Sequence, residues 1–170
     1  QIKDRIITSH ELRDEFKTLT AQRSFNTGYP TLDQMTRGFR EGDLVILSGL
    51  TGNGKTQMAV SLTKKFIHQG IAPLWFSYEI SSQELFERFG EEIPLFYLPR
   101  IINGFGEPTR WLDQKITEAK QRADIKVVFI DHLHYLVDYI TTRNKNTSEM
   151  LGYMCREFKS IARRHRVVIF

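Results

Sequence analysis

Three glycines, a lysine and a threonine lie within eight positions of the segment 48–57, which reads SGLTGNGKTQ. Gly49, Gly54, Lys55 and Thr56 fit the phosphate-binding pattern G-x-x-x-x-G-K-[ST]. Glycines let successive backbone N–H groups turn toward the α- and β-phosphates of a nucleotide, beside the positive end of the following helix. The alternative is a flexible turn with a solvated lysine. Because the segment lies between a predicted strand and a predicted helix, we predict a nucleotide site.

The predicted site includes the whole loop and two cofactors, ATP and Mg²⁺. Lys55 is expected to reach the β- and γ-phosphates and to take part in catalysis, and the Thr56 hydroxyl to hold Mg²⁺. The nucleotide-binding residues are therefore Gly49, Leu50, Thr51, Gly52, Asn53, Gly54, Lys55 and Thr56.

Two acids end apolar strands and could complete the site. Asp131 ends KVVFID, at the sheet edge where ligands collect in open α/β folds, and would hold Mg²⁺ through water. Its alternative is a strand-end aspartate that begins a turn. Glu79 ends PLWFSYE and could be the base that polarises the attacking water. Its alternative is an acid placed favourably at the N-terminus of the next helix.

Strands and helices alternate along the chain, which favours a parallel sheet covered on both faces. Short apolar runs predict strands over residues 43–48, 73–78, 126–131 and 167–170. Helical periodicity covers residues 54–68, 81–89, 110–122 and 147–164. We assign no regular structure to residues 91–109.

Length and composition indicate one globular domain. The chain has 170 residues, of which 41% are hydrophobic and 26% charged. It contains no apolar run of the roughly 18 residues that span a bilayer, and no signal peptide. Cys155 is the only cysteine, which excludes an internal disulfide and a cysteine-based zinc site. We expect a cytoplasmic protein without a membrane partner. Because the chain opens on Gln1 and closes on a strand pattern, we also expect a piece of a longer protein.

Four segments together resemble the ATPase domain of DnaB-type replicative helicases, in the RecA-like superfamily. They are FNTGYPTLDQMTRGFREGDLVILSGLTGNGKTQMAVSLTKKF, WFSYEIS, VVFIDHLHYL and TSEMLGYMCREFKSIARRHRVVIF. The resemblance implies an α/β, RecA-like P-loop fold, mostly a parallel sheet with helices on both faces, here truncated at the C-terminus. It divides the chain into a linker helix segment, 1–24, and an incomplete ATPase domain, 25–170.

The resemblance also implies an activity and partners. The activity is ATP-dependent DNA unwinding with translocation on single-stranded DNA, by a ring that is a hexamer in the full-length protein. A primase or a helicase loader would be a further partner. Glu79 stands at the family's catalytic glutamate, while Gly28 and Asp33 match its structural TG-x-x-x-LD lead-in. The arginine finger and further DNA-binding loops of the family lie beyond Phe170.

His132 and His134 depart from the family pattern, which continues Tyr-Leu-Gln after the aspartate. Two histidines at i and i+2 on a strand end face the same way, but without a cysteine or an evident third ligand we do not predict zinc. The resemblance instead favours His134 as a residue near the nucleotide that senses the γ-phosphate.

Positive charge is concentrated late in the chain. Residues 137–166 contain seven basic and three acidic residues, and this excess of four equals the net charge of the chain. Arg143 and Lys145 lie in a polar stretch without apolar periodicity and are predicted to contact DNA phosphates. The alternative is simple solvation, and the cations of RRHR are better explained as helix-end charges.

The N-terminal segment carries a T-x-x-E capping box at Thr8 and Glu11, followed by Leu12, Phe16 and Leu19 on one helical face. That face could dock on a neighbouring subunit, as the linker helix of the family does, or pack on its own domain.

Two other functions remain open at this stage. A RecA- or KaiC-like ATPase would share the core without unwinding DNA. A nucleic-acid-binding or assembly module could hold ATP without hydrolysing it, although it would have no need for Lys55, Thr56, Glu79 and Asp131 together.

Overall fold

The structure is a computed structural model, and it describes residues 6–18, 24–101, 107–133, 136 and 147–170. The helices are α1 (Ser9–Thr18), α2 (Pro30–Thr36), α3 (Lys55–His68), α4 (Ser82–Phe89), α5 (Pro108–Arg122) and α6 (Thr147–His165). The strands are β1 (Ser24–Phe25), β2 (Phe39–Arg40), β3 (Leu74–Ser77), β4 (Val127–Asp131) and β5 (Val168–Ile169).

A parallel sheet in the order β3-β4-β5 forms the centre of the described chain. Trp75 pairs with Phe129, and Ser77 pairs with Asp131, so β3 and β4 end at the same edge. Strand residues point alternately to the two faces, and both faces are apolar because both are covered. The predicted strands at 73–78 and 126–131 are thus confirmed within two residues.

Helices cover the two faces of this sheet. On one face, Trp75, Phe129 and Phe170 join a buried cluster with side chains of α3 and α4. On the other, Phe76, Val128 and Ile169 join a cluster with α5 and α6. In α6 the buried positions Met150, Met154, Phe158 and Ile161 recur every three or four residues, which places them on one stripe. The predicted α/β fold with helices on both faces is confirmed.

The strand predicted at residues 43–48 is wrong as a continuous element. Leu44 forms an isolated parallel bridge with Ile169, and the Val45 N–H donates to the Ile169 carbonyl at 2.8 Å. A strand needs a neighbour along its length, and β5 covers only Val168 and Ile169. An apolar, β-branched run therefore has strand character here without a full ladder.

The sequence patterns did not predict β1, β2 or α2. The two strands pair antiparallel around α2, and each has only two residues, too few for a periodic pattern. Asp33 fastens this unit, since its carboxylate accepts from the Thr27 N–H at 2.6 Å and from the Gly28 N–H at 3.1 Å. These contacts fit the structural role expected for Gly28 and Asp33.

Two other segments bear on the predictions. Within 91–109, Tyr97 forms a bridge with Leu74, and α5 begins at Pro108, while the other described residues are irregular as expected. At the N-terminus, Thr8 and Glu11 form the predicted capping box, with the Glu11 N–H donating to the Thr8 hydroxyl at 3.2 Å. Leu12 is 38% exposed, and the Phe16 side chain and Leu19 lie outside the described residues.

Candidate nucleotide-binding site

The glycine loop leads directly into α3. Gly52 and Gly54 have φ values of 82° and 79°, which L-residues with a side chain rarely adopt. A Cβ atom added at either position would meet no atom within 4 Å, so backbone conformation rather than space requires glycine. Gly54 is the N-cap of α3, and the first N–H groups of that helix have no intrahelical acceptor. The loop can therefore present N–H donors to an anion.

Lys55 is held over the same loop. Its ammonium group donates to the carbonyls of Gly49 and Leu50, at 3.1 Å each. This keeps the cation beside the predicted phosphate donors, where an arriving phosphate could replace the carbonyls as its partner.

Thr56 and Asp131 meet although 75 positions separate them. The Thr56 hydroxyl donates to the Asp131 carboxylate at 2.8 Å. Asp131 is 8% exposed, and burial raises the pKa of its carboxyl above the ordinary value. The hydrogen bond from Thr56 opposes this rise, while the nearby Glu79 charge adds to it. A hydroxyl and a carboxylate that lacks full hydration are oxygen ligands of the kind that Mg²⁺ prefers, so the donor set fits this ion.

Glu79 lies beside this pair. The Tyr78 N–H donates to the Asp131 carbonyl at 2.6 Å, which ties the segment after β3 to the end of β4. The Glu79 carboxylate is 2.9 Å from Nδ1 of His132. The structure thus brings the predicted metal ligands and the predicted base to one edge of the sheet, close to the loop.

His132 has more neighbours than the sequence indicated. Glu79, Asp131 and His132 each offer one ligand atom, and these atoms lie within 4.8 Å of one another. Sequence reasoning paired His132 with His134 and found no third ligand, because contacts across parallel strands depend on register. His134 lies outside the described residues, and the expectation of no zinc stays a prediction.

A cavity of about 360 Å³ opens next to the site. Gly49, Lys55, Asp131 and His132 form its polar rim, and most of its remaining wall is apolar. Leu44 is separated from β4 by β5, and the cavity lies where residues 45–48 continue past the end of β5. It occupies the width of one strand, roughly 5 Å between neighbours.

The basic residues divide into two groups. Arg143 and Lys145 lie outside the described residues. Near the end of α6, Arg164 contacts Asp113 at 2.7 Å and Arg166 contacts Glu41 at 2.8 Å. These contacts within the chain fit the interpretation of RRHR as structural charges.

Loop, helix and strand-end acids together define a P-loop nucleotide-binding domain with a RecA-like fold. Residues 24–94 match the family model described as DnaB-like helicase C terminal domain. A solved helicase ATPase domain superposes with a TM-score of 0.69 at 16% identity, covering 94% of this chain and 67% of that one.

Named relatives agree with this similarity. The Replicative DNA helicase DnaB of Mycoplasma pneumoniae is 24% identical over 180 residues, covering 86% of this chain. A Probable replicative DNA helicase of Trieres chinensis is 25% identical over 85% of this chain. The chain spans 38% of the length of each of these two relatives. The predicted resemblance to the DnaB-type ATPase domain is confirmed.

None of the helices in the described part of the chain has the length and apolar character needed to cross a membrane.

Proposed function

We propose that this chain is the ATP-hydrolysing domain of a DnaB-type DNA helicase, which couples ATP hydrolysis to translocation on single-stranded DNA. The observation that carries the proposal is the contact between Thr56 and Asp131, with Glu79 at the end of the adjacent strand. A glycine loop alone would bind phosphate, whereas this constellation has a residue for each part of hydrolysis.

Each residue has a separate task. The loop 49–56 binds the phosphates of ATP, and Lys55 neutralises charge on the β- and γ-phosphates. Mg²⁺, held by Thr56 and through water by Asp131, supplies charge neutralisation at the phosphates. Glu79 accepts a proton from the attacking water, whose oxygen bonds to the γ-phosphorus. The bond to the bridging oxygen breaks, and its electron pair leaves with ADP.

The partners follow from the similarity and the charge pattern. We assign residues 1–24 to a linker helix and 25–170 to the ATPase domain, within a ring that is a hexamer in the complete protein. Arg143 and Lys145 would contact the DNA backbone, and His134 would sense the γ-phosphate. A primase or a helicase loader stays a prediction.

The first experiment measures ATP turnover in the complete protein with and without single-stranded DNA, at fixed salt. Lys55→Ala should lose nucleotide affinity and turnover. Glu79→Gln should lose about 10²- to 10⁴-fold in turnover, the range for general bases, while still binding ATP and Mg²⁺. Turnover stimulated by DNA, together with unwinding of a forked duplex, would support the helicase function.

The same measurement separates the alternatives. Turnover that ignores DNA would favour a KaiC-like ATPase. DNA-stimulated turnover without unwinding would favour a RecA-like function. ATP binding without turnover in the unmodified protein would favour an assembly module.

A second experiment tests the DNA contacts. Arg143→Ala and Lys145→Ala should leave turnover without DNA unchanged and weaken DNA binding. Each lost phosphate contact lowers the slope of log affinity against log salt by about 0.7 for a single strand. Arg110→Ala is the matched control, because Arg110 is an exposed helix cation paired with Glu107 at 3.4 Å. Equal effects of all three changes would contradict a specific role for residues 143 and 145.

A further inference from the structure

Glu79 needs a restraint to serve as a base. It lies two residues beyond β3, and its side chain is 36% exposed. A glutamate side chain has three rotatable bonds, so an exposed one samples many positions. A base that is misplaced by about 1 Å can lose roughly 100-fold in rate.

His132 provides a restraint from the neighbouring strand. Its Nδ1 is 2.9 Å from Oε2 of Glu79, and its ring is only 27% exposed. The residue follows Asp131 directly, and Asp131 pairs with Ser77 in the sheet register. The Tyr78 N–H also donates to the Asp131 carbonyl. The backbone that carries the ring is therefore fixed to the backbone that carries Glu79.

The chemistry of the contact defines its direction. An ionised carboxylate only accepts hydrogen bonds, so Nδ1 of His132 carries the proton and donates it to Oε2. Oε1 is then the oxygen that is left to accept a proton from water. The contact keeps the two oxygens in different tasks.

We propose that His132 is a positioning residue for the base: it holds Oε2 of Glu79 and so orients Oε1 toward the attacking water. This inference rests on the proposed hydrolysis of ATP with Glu79 as base. His132 acts through Glu79, not on the nucleotide.

The competing explanation is a metal ion bound by Glu79, Asp131 and His132, whose ligand atoms lie within 4.8 Å of one another. Asparagine separates the two explanations. Its amide places an N–H near the position of Nδ1–H, so it can donate to Glu79. An amide nitrogen has no free lone pair for a metal, so His132→Asn would not restore the imidazole ligand.

The test compares His132→Ala and His132→Asn in the complete protein. His132→Ala should lower kcat about 10- to 100-fold, with little change in KM for ATP, because binding of the phosphates is left intact. His132→Asn should recover most of the lost kcat. His165→Ala is the matched control, since His165 makes the same kind of contact, at 2.7 Å to Asp113, between α6 and α5. It should lower Tm and leave kcat unchanged.

Two further measurements locate the effect in Glu79. In a Glu79→Gln background, His132→Ala should have no additional effect on kcat. In the nucleotide-free protein, the Tm changes of His132→Ala and Glu79→Ala should not add, because either change breaks the same contact.

Several results would overturn the inference. They are an unchanged kcat in His132→Ala, an asparagine variant as impaired as the alanine variant, or additive effects with Glu79→Gln. Transition-metal binding that is lost in both His132 variants would favour the metal instead. If the unmodified protein does not hydrolyse ATP, or if Glu79→Gln retains activity, the proposed function itself fails. Activity that needs Glu79 but not His132 removes only this inference.

Discussion

Thr56 joins the glycine loop to the far strand of the site through its 2.8 Å hydrogen bond to Asp131. The bond satisfies a carboxylate that is 8% exposed and whose pKa is raised by burial. One hydroxyl thus serves two purposes, since it supports the buried acid and provides a ligand for Mg²⁺.

Thr56→Val keeps the shape of the side chain but removes the hydroxyl. We expect a loss of about 10- to 100-fold in Mg²⁺-dependent turnover, by analogy with the loss of groups that orient metal ligands. The free energy of unfolding should fall by about 1–3 kcal/mol, because the Asp131 carboxylate loses its donor. Turnover across a Mg²⁺ titration and urea unfolding measure the two effects. Thr56→Ser is the control and should retain both properties; a valine variant equal to the unmodified protein would contradict the assignment.

At the scale of elements, the loop and the helix that follows it are determined by backbone conformation. Gly49 and Gly54 belong to the same motif but differ in what they require. Gly54 has a φ of 79°, whereas Gly49 is not among the positive-φ residues. A Cβ at Gly49 would lie 3.7 Å from the Asn53 Cβ, which is an ordinary contact.

Alanine should therefore distinguish the two glycines. Gly54→Ala should lower the free energy of unfolding by about 1–2 kcal/mol, because alanine is strained at positive φ. Gly49→Ala should change it by less than about 0.5 kcal/mol. Urea unfolding without nucleotide measures both. Equal losses would show that space in the loop, and not φ, determines the requirement.

The start of α4 offers a test by pH. The Ser81 N–H donates to the Glu84 carboxylate at 2.8 Å, and the Glu84 N–H donates to the Ser81 hydroxyl at 3.2 Å. The first of these bonds is the main reason that the pKa of Glu84 is lowered. A carboxyl whose pKa is lower in the folded state stabilises the fold above its unfolded pKa of about 4.3, and this contribution is lost as pH falls through the lowered value.

Glu84→Gln should accordingly be less stable than the unmodified protein at pH 7, and the difference in Tm should shrink toward pH 3. Glu87→Gln, on the same helix but outside the capping box, is the control and should show a smaller change between the two pH values. A difference in Tm that does not depend on pH would contradict this role of the Glu84 charge.

At the scale of the whole molecule, one buried hydrogen bond connects the loop helix to the sheet. The indole N–H of Trp75 donates to the Thr63 hydroxyl at 2.9 Å, and both residues are 0% exposed. The Trp75 ring also stacks on Phe129, with ring centroids 4.8 Å apart. These contacts hold α3, β3 and β4 in the relation that brings Thr56, Glu79 and Asp131 together.

Thr63→Val should lower the free energy of unfolding by about 1–3 kcal/mol, because it leaves the buried indole N–H without its acceptor. In a Trp75→Phe background the same change should cost much less, since no indole donor remains. Urea unfolding of the two single variants and the double variant provides the comparison. The same cost in both backgrounds would show that the hydrogen bond is not the cause.

The sequence by itself determined the features that depend on neighbouring residues. The glycine loop, α3, the capping boxes at Thr8 and Ser81, and the apolar strands β3 and β4 all follow from patterns within about 15 residues. Resemblance to a known family, also present in the sequence, pointed to Glu79 and Asp131 before any geometry was known.

Only the tertiary structure decided which distant residues meet. Thr56 and Asp131 are 75 positions apart, and His132 and Glu79 are 53 apart, so each contact depends on the register of β3 against β4. Residues 43–48 were predicted as a strand from their apolar character, but pairing with β5 reached only Leu44. Side-chain periodicity reflects burial, whereas a ladder and a site need a partner across space, and local sequence does not specify that partner.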